Sequence, residues 1–321
     1  MRFFSTQKLD STAVRWLLVA FIVPVFGISI LPASAEQLDV PNTIENFPVG
    51  PNPEGLAFDG ANIWVTSVDG DMVTELRGSD GVRLGQFPAG GQSFHAVFDG
   101  VYIWVTNFNQ NWVTRLLASD GSIQGTFATG SFPSGIIFDG TNIWVTNQYS
   151  RNVTKLRASD GAQLGTFATG YGPVGLAFDG ANVWISNYGV VGAGNTVTKL
   201  SEDGVLLGTF PAGKAPLGIV FDGTNIWVAN RTGHVTKLRA SDGSFESRVR
   251  VGDDPSELAL AGSSVWVTNT GSDTVTRLKG HGEIDTHSVG DFPTAILFDG
   301  TSIWVANSGS NTVSKITHTA H

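Results

Sequence analysis

From residue 53 onward the chain alternates short runs of apolar and β-branched residues with polar turns, and the same phrase keeps returning. In the cycle spanning residues 133–170, an apolar run at 135–138 is closed by Asp139-Gly140. The strand-forming segment NIWVTN follows at 142–147, then a polar loop and a second run at 153–157. Ser159-Asp160-Gly161 breaks that run before a last one at 163–168. Asp-Gly between β-rich runs is hairpin chemistry, so one cycle predicts four short antiparallel strands, here called a to d. A helical repeat would need a 3.6-residue apolar period and would reject this density of Gly and β-branched residues.

The cycle recurs across the chain. Trp64, Trp104, Trp144, Trp184, Trp227, Trp266 and Trp304 each sit in a near-copy of FDGTNIWVTN, at spacings of 40, 40, 40, 43, 39 and 38 residues. The longest spacing has a visible cause: residues 187–197 form a segment four residues longer than its counterpart at 147–153, offset by a turn one residue shorter. Seven four-stranded units of about forty residues predict an all-β fold, a seven-bladed β-propeller. Residues 42–50, NTIENFPVG, resemble a fourth strand such as AQLGTFATG at 162–170, while the last cycle ends after a third strand at 312–317. An N-terminal strand therefore completes the last blade, which pairs two otherwise open edges.

The cycle IWVTN…NVTKL…SDG…LGTF…PxGIAFDG resembles the YVTN-type propeller repeat, with Trp where that family usually has Tyr. It is also similar to the propellers of virginiamycin B lyase and NHL proteins. The resemblance covers residues 38–318 and implies a fold; the fold itself hosts many unrelated activities.

Ahead of the repeats, Arg2, Lys8 and Arg15 precede an apolar run at 16–31 and an Ala33-Ser34-Ala35 cleavage pattern. This is the layout of a secretory signal peptide over residues 1–35, leaving residues 36–321 as one propeller domain. The run is interrupted by Pro24 and is shorter than the roughly 20 residues of a membrane span. The expectation is an exported chain, periplasmic or extracellular, with no membrane span after cleavage. Its formal charge is −9, and the predicted leader holds three basic groups and one acidic, so cleavage takes the charge to −11. That balance argues against a nucleic-acid partner. With no cysteine, disulfides, thiolate metal sites and a cysteine nucleophile are excluded. A monomer is expected.

The seven repeated tryptophans read as inter-blade core. The Asp-Gly pairs at Asp59, Asp99, Asp139, Asp179, Asp222 and Asp299 read as turn formers, since EF-hand ligand spacing is absent. Function is expected where the copies differ. In a propeller the b–c and d–a loops share one rim at the channel mouth. Blades two to four bring Phe94, Phe108, Trp112, Phe132, Tyr149, Tyr171 and Tyr188 to that rim. The basic residues Arg151, Lys214, Arg231 and His234 belong to blades three to five, and Asp253, Asp254, Glu257, Asp273, Asp291, Glu54, Asp69 and Asp71 to blades six, seven and one. Contiguous exposed aromatics mark binding sites. The aromatic set with Arg151 and Arg231 is therefore the expected ligand site, for a protein segment, a glycan or a small molecule.

The d–a loops mostly read Pro-x-Gly, and the resemblance implies that x faces the channel mouth. Blade two breaks the rule with Phe94-His95-Ala96 and blade six with Pro255-Ser256-Glu257. The leading expectation is a binding or scaffold propeller with no cofactor and no metal. The alternative is a lyase or hydrolase resembling virginiamycin B lyase, which implies magnesium and acid–base groups at the mouth; Glu54, His95 and Glu257 are the candidates. Against it, strand b ends in Asn107, Asn147, Asn187, Asn230, Asn269, Asn307 or Ser67, where lyase-like repeats commonly carry a glutamate. A haem or quinone propeller is disfavoured by the lack of C-x-x-C-H and of several convergent charges.

Overall fold

A computed structural model of the chain describes residues 43–280 and 282–317. The predicted signal peptide lies outside these residues. Seven four-stranded antiparallel sheets follow one another, each in the order a-b-c-d outward from the ring axis. The seventh sheet takes its outer strand from the other end of the chain: Thr43–Pro48 pairs antiparallel with Thr312–Thr317, Thr43 opposite Thr317 and Pro48 opposite Thr312. Seven blades closed by an N-terminal strand is the predicted architecture. The predicted strands at 142–147 and 163–168 are found as Asn142–Asn147 and Gln163–Ala168. Strand a of that blade starts earlier than expected, at Pro133, because Pro133 pairs with Asn147 before the ladder shifts register. The extra residues of blade four form a loop with one 3-10 turn, Val190–Gly192, the only helical piece among the described residues.

The Asp-Gly aspartates do more than shape their turns. Asp59 Oδ1 accepts the backbone N–H of Ala61 (2.8 Å) and Asn62 (2.7 Å), as an Asx turn does. Its Oδ2 accepts the indole N–H of Trp64 at 2.7 Å. The same pairing joins Asp99 to Trp104, Asp139 to Trp144, Asp179 to Trp184, Asp222 to Trp227 and Asp299 to Trp304. A buried indole N–H needs an acceptor, and the turn supplies it.

Each tryptophan then packs between blades. Trp64 sits with Ile103, Val105 and Leu116 of blade two, and Trp144 with Val183, Ile185 and Leu200 of blade four. A ring from strand d of its own blade lies against it: Phe87 on Trp64, Phe127 on Trp104, Phe167 on Trp144, Phe210 on Trp184 and Phe47 on Trp304, at 5.0–5.9 Å between ring centres. In every blade but the first a strand-c cation lies over the indole as well, and in blades two, three, four and seven it ties blade to blade. Lys199 Nζ stands 4.7 Å from the Trp184 ring and donates to Ala240 O in blade five (2.8 Å). Lys315 does the same from blade seven to Gly78 and Ser79 of blade one. Six tryptophans are buried as expected. Trp227 differs: it is only partly buried, because Val249 stands where the other blades present a ring.

Candidate functional site

Strand a is innermost, and its register decides which side chains reach the channel. Its first residue pairs with the last of strand b: Pro133 with Asn147, Ser93 with Asn107, Pro255 with Asn269. The match of Phe94-His95-Ala96 to Pro-x-Gly is therefore off by one residue; Ser93 holds the proline place. His95 and Glu257 both fall in the third place, where blades one, three, four and five have glycine and blade seven has Ala295. A central cavity of about 120 Å³ is lined by that third place, with Gly55, His95, Gly135, Gly175, Glu257 and Ala295, and by the residues next to them. The lining position is thus the glycine place rather than x. In blades three and four the spacing requires glycine there: a Cβ on Gly135 would stand 2.1 Å from Val174 O of the next blade, and one on Gly175 2.4 Å from Leu217 O. Behind this wall a belt of hydroxyls holds the ring together. Thr146 Oγ1 accepts the Gly135 N–H (2.8 Å) and donates to Val174 O (2.7 Å), and Thr106 does likewise with His95 N–H and Ser134 O.

His95 and Glu257 are both partly buried and face one cavity. Burial pulls the imidazole down to about 4 and pushes the Glu257 carboxyl up to about 7. Glu54 stands in the x place. Burial, helped by the negative charge of Asp69, raises it to about 7. Near neutral pH the histidine is uncharged and each glutamate is close to half-protonated. The structure thus brings two of the three acid–base candidates to one cavity, from blades two and six, and sets Glu54 one residue back. Among the described residues no three His, Asp or Glu side chains are grouped to hold a metal ion.

From His95 an unbroken path of ring contacts leads outward over blades two and three. Phe94 lies 4.7 Å from the His95 ring and 5.2 Å from Phe108. Phe108 meets Phe132 edge-on at 5.0 Å, and Phe132 meets Tyr149 at 4.4 Å. Tyr149 is 73% exposed and Tyr171 56%. Both open on a hollow of about 300 Å³ shared with Arg151, Tyr188, Val190 and Val191. The Arg151 guanidinium lies 3.9 Å over the Tyr171 ring. Tyr188 Oη accepts from Arg231 Nη1 at 3.0 Å, and Arg231 also pairs with Asp254 at 2.9 Å; these partners hold the guanidinium firmly charged. Phe132 has φ +57°, a left-handed backbone that Asn52, Gly172, Ala215, Asp254 and Phe292 adopt at the same place in other blades. A phenylalanine is a poor occupant of that conformation. Val190 and Val191, contributed by the blade-four insertion, were not among the expected site residues; the insertion's length was their only signal.

Trp112 stands apart from the ring path. It opens strand c of blade two, opposite Asn107 and Ala128, with its indole near Gly90. In the acidic half of the rim some carboxylates have structural partners. Asp254 pairs with Arg231, and Asp273 Oδ1 accepts the Phe292 N–H at 2.9 Å, as Asn111 does from Phe132 and Asn311 from Asn52. His234 turns its Nδ1 to Thr232 O at 2.9 Å.

No family model matches the chain, and no curated protein matches its sequence. Solved structures do match its fold. A streptogramin B lyase superposes with a TM-score of 0.75 at 19% identity, over 86% of this chain and 98% of the other. Virginiamycin B lyase from Staphylococcus aureus gives 0.75 at 19%, over 86% and 99%. Hydrazine synthase from Kuenenia stuttgartiensis gives 0.76 at 17%, over 84% and 97%. The shared property is the seven-bladed propeller, and proteins of different activity carry it.

Proposed function

We propose that this protein is an exported binding module whose rim, over blades two to four, holds an extended ligand by stacking. The observation that supports it is the continuous ring path from His95 through Phe94, Phe108 and Phe132 to Tyr149, opening on the hollow beside Arg151 and Tyr171. Such a surface suits a glycan or peptide segment that lays flat faces on the rings and offers an acidic group to Arg151. The test is a thermal-shift and calorimetric screen of soluble glycans and acidic peptides. Binding should weaken by more than about 1 kcal/mol in Tyr149→Ala, as for an interface hot spot. Phe132→Asn should lose affinity while gaining up to about 1 kcal/mol of stability, from relief of the left-handed backbone. Binding unchanged in both variants would dismiss the rim as the site.

A second reading rests on the central cavity. His95 is uncharged and Glu257 titrates near neutrality in the same cavity, which they enter from blades two and six, and both are groups suited to general acid–base chemistry. The residues present do not offer the magnesium site that a virginiamycin B lyase-like activity implies, so no step is routed through a metal here. Turnover of a candidate substrate lost in both His95→Ala and Glu257→Gln would favour this reading over the binding module.

A further inference from the structure

The repeat is broken at one point that the rim does not explain. Six of the seven inter-blade tryptophans carry a strand-d ring on one face: five phenylalanines, and His287 stacked on Trp266 at 5.6 Å in blade six. In blades one to four a glycine stands two residues before the ring and packs against it, whereas blades six and seven carry the ring with Asp285 and Glu45 in that place. A Cβ on Gly85, Gly165 or Gly208 would stand 2.5 Å from the Phe87, Phe167 or Phe210 ring. Blade five departs at both places. Val249 pairs with Val235 where the ring residue belongs, and Ser247 pairs with Lys237 where the glycine belongs.

A hollow of about 480 Å³ lies at this break, between blades five and six. Trp227, Ser247 and Val249 line one side of it, and Leu260, Val265 and Leu278 the other. It opens at the end of the blades that carries the a–b and c–d turns, opposite the aromatic rim. Lys237 covers the Trp227 ring at 5.1 Å but turns its ammonium to Glu246 (3.5 Å), where Lys199 and Lys315 reach a carbonyl of the next blade. Trp227 is the partly exposed member of a set whose other members are buried. Asp222, Asn225, Lys237, Lys279 and Glu283 share the lining with this apolar surface, a mixture that suits a small molecule with an apolar body and a polar group.

We infer that this hollow is a second binding site, taking a small molecule whose flat aromatic ring stacks on Trp227 in the place that strand-d rings fill in the other blades. Ser247 Oγ lines the same side, so a phenol-type hydroxyl on the ring has a hydrogen-bond partner there. The apolar wall of blade six covers the ring's other face. The inference is independent of the rim reading.

The probes are p-cresol, toluene and cyclohexanol, followed on the full chain by calorimetry and ligand-observed NMR. p-Cresol should bind with one site per chain, toluene about ten-fold more weakly, and cyclohexanol not measurably. The double variant Ser247→Gly, Val249→Phe rebuilds the pattern of blades one to four, so it should fold, melt higher than the parent and lose p-cresol binding at least ten-fold. Ser247→Ala should bring p-cresol down to the affinity of toluene. Absence of p-cresol binding to the parent, or binding retained in the double variant, would overturn the site. Toluene binding as tightly as p-cresol would overturn the role of Ser247. Tyr149→Ala should bind p-cresol as the parent does; loss there would place the probe at the rim and refute the inference.

Discussion

At the scale of single residues, two exceptions to a glycine rule carry the channel chemistry. Gly135 and Gly175 are glycine because the neighbouring blade's carbonyl leaves no space for a Cβ. His95 and Glu257 stand in the same place and turn that position into a polar wall. Their protonation makes stability depend on pH in a checkable way. Glu54 and Glu257 are raised to about 7 in the fold, so each binds a proton between pH 4.5 and 7 that the unfolded chain has released. Stability therefore falls as pH rises through that window. His95, lowered to about 4, works the other way: between pH 4 and 6.5 the unfolded chain holds the proton, so stability rises with pH. Two carboxyls against one imidazole leave a net loss from pH 5 to 8. Glu257→Gln should remove on the order of 2–3 kcal/mol of that loss, since one pKa unit corresponds to about 1.4 kcal/mol. Urea melts at pH 5 and pH 8 measure it; an unchanged pH dependence in the variant would mean that Glu257 does not titrate in this window.

At the scale of the strand and blade, the tryptophan layer gives a graded series within one molecule. Trp144 is fully buried between Val153 of its own blade and Leu176, Val183 and Leu200 of the next. Trp144→Ala should cost roughly 3–5 kcal/mol, the range for large aromatic truncations in a packed core. Trp227 has lost one face of that packing, and Trp227→Ala should cost about half as much. Chemical denaturation of the two variants compares them; equal costs would show that the blade-five hollow does not weaken the layer. Strands and turns were legible in the sequence because Asp-Gly and the IWVTN run state a local preference that the blade then uses. The register of strand a was not, because Ser93 carries none of proline's punctuation and the ladder shifts between Ser93 and Ala96. Nor were the strand-c cations, because the partners of Lys199 and Lys315 are carbonyls on the next blade, which no local pattern signals. The rim aromatics could be named from loop position alone. Their joining into one path could not, since it depends on the positive φ of Phe132 and on distances across blades.

At the scale of the whole molecule, the ring is closed by a strand from the opposite end of the chain, and that closure is a weak point of known location. Thr43–Pro48 completes the hydrogen bonding of Thr312–Thr317 over six register pairs. Asn46 Oδ1 accepts from Ser314 Oγ at 2.6 Å, and Asn52 N donates to Asn311 Oδ1 at 2.8 Å across the same seam. The strand also brings Phe47 onto Trp304 at 5.9 Å and against Gly81 of blade one, so it covers an apolar face as well as an edge. Without it, Thr312–Thr317 would present an unpaired β-edge beside an uncovered indole. Exposed edges of that kind recruit other chains. A chain lacking residues 36–50 should therefore self-associate on size-exclusion chromatography and melt at markedly lower temperature. A milder change separates the two contributions: Phe47→Ala keeps the backbone pairing and removes only the ring, and should cost about 3–5 kcal/mol with the protein still monomeric. If the truncated chain stayed monomeric with an unchanged melting temperature, the N-terminal strand would be dispensable and the ring would hold through its inter-blade layers alone.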